Sequence, residues 1–201
     1  MLRLIDACDD REGIPECTGW RSDQSIYTYS SVRFAQLLLQ AGQREKAADY
    51  LYAFANHASA SRVWREEQPV RETHSAEICG DMPHNWASVE FIRLVRNLVV
   101  LETFTGVELL PGLPEEWLPR AGDSLVLEKT PTRFGKLSLE LSVRGKGGCL
   151  LSVAREDGNQ QPQYLRLHWA GKAVLDGGEL EKSNGKYLLP LEEKQVCIEL
   201  F

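Results

Sequence analysis

Between Gly80 and Ile92 the chain reads Gly-Asp-Met-Pro-His-Asn-Trp-Ala-Ser-Val-Glu-Phe-Ile, and four of these side chains suit the holding of a polar ligand. Asp81 is an acceptor, His84 donates or accepts, Asn85 does both, and Trp86 offers a flat apolar face. A sugar carries hydroxyls at its edge and C–H groups on its faces, so the set matches its chemistry. Pro83 is compatible with a helix start, where the first N–H groups have no intrahelical partner. Asp81 is then the expected cap for one of those donors. Taken singly, each residue also fits a plain capped helix with a buried tryptophan.

Elements must hold these residues in place, and apolar spacing predicts three helices. Val32, Ala35, Leu38 and Leu39 recur at helical period over 31–41, and Gly42 stops that helix in a tight turn. Ala47, Leu51, Phe54 and Ala58 lie on one face of a second helix over 44–58, which makes an αα-hairpin with the first. A third helix is predicted over 85–105, ended by Gly106. Its Leu98-Val99-Val100-Leu101 run is apolar on every side, so it needs burial by neighbours. Three helices cannot supply all of that cover, and an exposed apolar patch marks a missing partner.

Beyond Gly106 the period becomes two. Lys136 to Arg144 alternates without a break, as a half-buried strand does. Further strands are predicted over 124–128, 149–155, 164–169, 172–175, 187–191 and 195–200. Glycine-rich turns separate them, among them Asp157-Gly158, Asp176-Gly177 and Asn184-Gly185. Many short strands at this spacing imply an antiparallel β-sandwich. The fold class expected is therefore α+β, with helices over 1–106 and the sandwich over 107–201. Tyr164 and His168 fall on one face of their strand and Trp169 on the other, so they form no single platform.

The segment Gly-Asp-Met-Pro-His-x-Trp-Ala-x-x-x-Phe-Ile resembles the late-barrel motif of six-hairpin, or (α/α)6-barrel, glycoside hydrolases. That superfamily includes α-L-rhamnosidase-like, glucoamylase-like and trehalase-like enzymes. Trp64-Arg65-Glu66-Glu67-Gln68 is similar to the acidic segment that precedes this helix, and Leu109-Leu110-Pro111-Gly112-Leu113-Pro114-Glu115-Glu116-Trp117 to the passage into a C-terminal β-domain. The resemblance runs through nearly the whole chain but matches only the last portion of the family. Twelve helices of roughly 11–12 residues plus loops exceed these 201 residues. The implied architecture is the last hairpins of the barrel followed by the sandwich, with an upstream barrel segment as partner. The N-terminus carries no apolar core or cleavage site of a secretion signal, which agrees with an internal start.

The resemblance implies hydrolysis of a glycosidic bond, by inversion. Inversion needs one carboxyl to protonate the leaving oxygen and another to activate water, about 6.5–9.5 Å apart. Glu66 or Glu67 takes the base position, with Glu66 preferred for its place after Trp64-Arg65. Asp81, His84, Asn85 and Trp86 shape the sugar subsite, and Trp64 stacks on a sugar face. The general acid belongs to the upstream segment, so the chain alone is expected to be inactive. Arg65 stands where related sequences often carry proline. The other reading of the two glutamates is a solvated acidic pair beside Arg62, Arg65 and Arg71; for Trp64 it is packing. A non-catalytic carbohydrate-binding or scaffold module is the competing function, and a helical-plus-β interaction protein a third.

Composition is that of an ordinary globular chain, at 43% hydrophobic and 26% charged residues. A net charge of −6 and the lack of a basic run argue against a nucleic-acid surface. No apolar stretch reaches the roughly 20 residues of a membrane span. Five scattered cysteines without a CxxC pair point to reduced thiols and a cytoplasmic compartment, unless a secretion signal lies upstream. His74, Cys79, Asp81 and His84 are ligand types close in sequence, but their spacing matches no zinc pattern, so neither metal nor cofactor is expected.

Overall fold

The computed structural model describes residue 5 and residues 11–20, 25–70, 80–118, 120–144 and 148–201. The chain divides into two compact units, Met1–Leu98 and Val99–Phe201. That division precedes the 106/107 position expected from the change in periodicity. The class is α+β: helices with one small two-stranded sheet in the first unit, two larger sheets in the second.

In the first unit, α1 (Thr28–Gln40) and α2 (Arg44–Asn56) form the expected hairpin. Gly42 turns it with φ +79°, a conformation that costs glycine nothing. Val32, Ala35, Leu38, Leu39, Ala47, Leu51 and Phe54 are all buried, as their spacing requires. α1 starts earlier than its apolar period indicates, because Thr28 and Tyr29 are buried as well. Two short strands, β1 (Ser25–Tyr27) and β2 (Glu67–Pro69), pair antiparallel and were not anticipated from the sequence. α3 (Asn85–Val99) follows.

α3 ends well before residue 105, which corrects the length expected of it. Val99 and Val100 are β-branched and crowd a helix while suiting a pleated surface. The chain therefore passes at once into β3 (Val100–Glu102), turns through Thr103–Gly106, and returns as β4 (Gly106–Leu109). Leu98 to Leu101 are buried as expected, but half of the run is strand.

The second unit holds two sheets. One contains β5 (Ser124–Thr132), β6 (Gly135–Val143), β7 (Cys149–Asp157), β9 (Ala173–Leu175), β10 (Gly178–Glu179) and β13 (Gln195–Leu200), in the order β10-β9-β13-β7-β6-β5. The other runs β11-β12-β8-β4-β3, with β8 Tyr164–Leu167, β11 Lys182–Ser183 and β12 Lys186–Leu188. Leu139, Leu141, Leu151, Val153 and Ile198 from the first share one buried core with Val107, Leu109, Leu165 and Leu167 from the second. One pair departs from the antiparallel expectation: β4 and β8 are parallel. A parallel pair needs a long crossover, and here β5 to β7 supply it from the other sheet.

Val107 and Leu109 face the core, so alternation puts Glu108 on the opposite face. It is buried there among basic side chains: His168 Nε2 lies 2.5 Å from Oε2, Lys186 Nζ 3.2 Å from Oε2, and Arg166 Nη1 3.3 Å from Oε1. Burial alone would raise this carboxyl, but the hydrogen bonds and charges of His168 and Lys186 outweigh it and hold it at about 2, below the ordinary 4.5. A depressed carboxyl stabilises the fold above the unfolded value and loses that contribution as pH falls through the folded one. The second unit should therefore lose on the order of 3 kcal/mol as pH drops from about 4.5 to about 2. Urea unfolding at stepped pH checks this, and Glu108→Gln should abolish that acid slope.

Candidate functional site

The site is assembled at the junction of β1 with α1. Thr28, the first residue of α1, donates its N–H to Glu66 O at 3.0 Å. Its hydroxyl reaches Arg65 O at 2.6 Å and Glu66 O at 3.0 Å. From the other side Glu66 N–H donates to Asp81 O at 3.0 Å, and His84 N–H to Trp64 O at 2.8 Å. The 64–66 segment is thus held between 27–28 and 81–84 by main-chain bonds, each contributing about 0.5–1.5 kcal/mol.

Alternation then sends the adjacent glutamates in opposite directions. Glu67 is fully buried and accepts the Ser25 hydroxyl at 2.7 Å. Glu66 keeps 18% of its side chain exposed. Its Oε1 accepts the Tyr27 hydroxyl at 3.2 Å, and its Oε2 lies 4.0 Å from His84 Nδ1, beyond hydrogen-bonding reach. Gly80 makes room for the carboxylate: a Cβ there would come within 2.2 Å of Oε2, and φ is +88°.

Asp81 does not cap α3, which corrects the expectation. The helix begins at Asn85, and the Asp81 carboxylate instead bonds His84 Nδ1 at 2.7 Å. That hydrogen bond holds the Asp81 carboxyl below its ordinary range. An ionised Asp81 only accepts, so Nδ1 of His84 donates in that bond. Nε2 is buried and has no hydrogen-bond partner among the described residues. Pro83 lies ahead of the helix, after a cis Met82–Pro83 peptide.

Trp86 is 60% exposed, and its indole meets the Tyr29 ring edge-on at 5.3 Å. Tyr29 stacks on His84 at 5.5 Å, and His84 meets Trp86 at 5.8 Å. These three rings connect the surroundings of Glu66 to an open aromatic face. Asn85 is exposed at the start of α3. Trp64, expected to stack on a sugar, is instead a core residue with 5% exposure. It lies parallel to Phe54 at 4.8 Å, touches Phe91 at 4.9 Å, and donates Nε1–H to Phe54 O at 2.8 Å. With its ring covered, it has no face for a ligand.

Glu66, Asp81 and His84 bring one donor atom each to within 4.8 Å of one another. Ligands around a cation at 2.0–2.1 Å stand about 3.3 Å apart, whereas Asp81 and His84 have closed on each other as a hydrogen bond. The trio is a hydrogen-bonded pair beside a carboxylate. His74 and Cys79, weighed for metal, lie outside the described residues. Sequence reasoning missed Ser25, Tyr27, Thr28 and Tyr29. The alternating Ser-Ile-Tyr-Thr-Tyr pattern was the available signal, but it covers too few residues to separate strand from loop.

No protein-family profile matches the chain, and no curated protein sequence does. A solved structure described as a glycoside hydrolase is similar at 13% identity and a TM-score of 0.41, over 86% of this chain and 32% of its own length. The chain spans about a third of that protein. Likeness of that degree carries no argument about activity, and the site stands on its own geometry.

Gly80→Ala should strain the backbone and press a methyl group into the Glu66 carboxylate. The expected cost is about 1–3 kcal/mol in urea unfolding, with displaced His84 ring resonances. Resonances and stability matching wild type would mean that the carboxylate does not depend on that space.

Proposed function

We propose that the helical unit carries the water-activating half of a glycoside-hydrolysing site, with Glu66 as the base. Asp81, His84, Asn85 and Trp86 shape the sugar subsite. The Glu66 carboxylate is the observation that supports this reading. Its backbone is fixed from two sides, Oε1 is hydrogen-bonded, and Oε2 faces no donor among the described residues. The exposed Trp86 face lies beyond two packed rings. These groups suit a carbohydrate: polar contacts at the ring edge, an indole for the C–H face.

In the reaction Oε2 takes a proton from water. The water oxygen bonds the anomeric carbon from the face opposite the leaving group, and the glycosidic C–O bond breaks. The leaving oxygen needs its own proton, from a carboxylic acid about 6.5–9.5 Å from the base. Asp81 does not suit that role. Its bond to His84 keeps it ionised, and its oxygen lies within 4.8 Å of Glu66, too close to admit the water. By the resemblance to six-hairpin glycoside hydrolases, the acid belongs to an upstream barrel segment. Its helices would also cover Val89 and Ile92, which are exposed at helical spacing along α3. Glu67 is kept from the chemistry by its burial and its bond to Ser25.

Titration of the chain with glucose, galactose, mannose and rhamnose, followed by the indole N–H signals of its tryptophans, tests this reading. At least one sugar should shift the Trp86 signal. Trp86→Ala should weaken binding about tenfold, equivalent to about 1.4 kcal/mol. Aryl glycosides should not turn over with the chain alone. Silence toward all four sugars would sink the proposal.

A further inference from the structure

We infer that Tyr27, backed by Tyr29, is a positioning residue for Glu66: its hydroxyl occupies Oε1 and leaves Oε2 as the oxygen that receives a proton. This rests on the role of Glu66 proposed above. A phenol has one proton and accepts through its lone pairs. The Tyr27 hydroxyl lies 3.2 Å from Glu66 Oε1 and 2.7 Å from the Tyr29 hydroxyl. A carboxylate only accepts, so the Tyr27 proton belongs to Glu66, and Tyr29 must donate to Tyr27. The chain of donation runs in one direction, Tyr29 to Tyr27 to Glu66.

Tyr27 stays protonated wherever the carboxylate is charged. Burial and the neighbouring Glu66 carboxylate, to which it donates, hold its hydroxyl well above the ordinary phenol range. The donor is therefore permanent and neutral. A neutral donor fixes the orientation of a carboxylate without the full stabilisation a cation gives its charged form. On the other oxygen no donor competes, because His84 Nδ1 is 4.0 Å away and is bonded to Asp81.

The geometry is held by local chain as well as by packing. Tyr27 ends β1 and Tyr29 lies in the first turn of α1, with Thr28 between them anchored to Glu66 O. Tyr27 and Thr28 thus grip Glu66 by side chain and main chain, and Tyr29 backs Tyr27. The Tyr29 ring is fixed in turn: it stacks on His84, meets Tyr27 edge-on at 4.6 Å, and carries the Arg33 guanidinium 4.9 Å from its centroid. Arg33 is itself tied to the buried Glu90 at 2.9 Å.

Carbon-13 labelling of glutamate carboxyls, with Glu66→Gln to assign the signal, tests the inference in the chain as it is. Tyr27→Phe should raise the Glu66 titration midpoint by about one pH unit, the expected effect of losing a hydrogen bond to a charged group. Tyr29→Phe keeps the Tyr27 donor but removes its backing, and should give a smaller rise. It also keeps the test open if Tyr27→Phe does not fold. Unchanged midpoints in the folded variants would overturn the positioning role. This readout needs no sugar: shifted midpoints with no sugar response would remove the glycosidase reading and leave the hydroxyl pair as the device that orients Glu66.

Discussion

The main-chain clasp on Glu66 is the contact on which the arrangement of the helical unit's candidate site depends. Thr28 takes its carbonyl and Asp81 takes its N–H. These partners begin α1 on one side and the loop before α3 on the other, so one residue registers three stretches of chain. None of the bonds uses the Glu66 side chain. A carboxylate freed from structural duty can face solvent and donors as chemistry requires, while its Cα stays fixed. Moving either partner segment by a fraction of a hydrogen-bond length would move the carboxylate with it, since these bonds weaken steeply outside their narrow range of distance and angle.

Local periodicity made part of this legible. Helical spacing at Val32, Ala35, Leu38 and Leu39, and strict alternation from Lys136 to Arg144, report which face is buried, and burial is what shapes such patterns. The helix hairpin and the strands β5 to β7 and β13 follow from that. Where the pattern was ambiguous, the reading failed for a definable reason. Leu98 to Leu101 is apolar throughout, so it carries no period, and only β-branching at Val99 and Val100 marked the change from helix to strand. β1 and β2 are three residues each, too short for any period, and they pair across the length of the α1–α2 hairpin. Such a contact is set by closure of the fold rather than by either segment.

The candidate site was legible as a set of residue types but not as an arrangement. Asp81, His84, Asn85 and Trp86 are adjacent in sequence, and their neighbourhood needed no inference. What sequence could not supply was the division of labour. Asp81 reads as a helix cap because acidic residues ahead of helices usually are; its carboxylate serves a ring three residues away instead. Trp64 beside Glu66 suggested one aromatic platform, yet a parallel stack with Phe54 and a bond from Nε1 commit it to the core. Tyr27, which meets Glu66, and Tyr29, which backs it, come from outside the motif altogether.

Two carboxylates in this chain show how differently environment can hold the same side chain. Glu108 is buried among an arginine, a lysine and a histidine, and that company holds its carboxyl near 2. A group so firmly ionised is a poor proton acceptor at neutral pH, because general base catalysis is most effective when the pKa lies near the working pH. Its cations serve to make a buried charge tolerable. Glu66 has the opposite company: a neutral hydroxyl on one oxygen and no donor within reach on the other. Nothing cationic contacts its carboxylate within hydrogen-bonding distance among the described residues, and only a glycine fits against Oε2 at position 80. The same residue type is locked by charge in one unit and only oriented in the other. Orientation without charge compensation is the arrangement on which the role proposed for Glu66 rests.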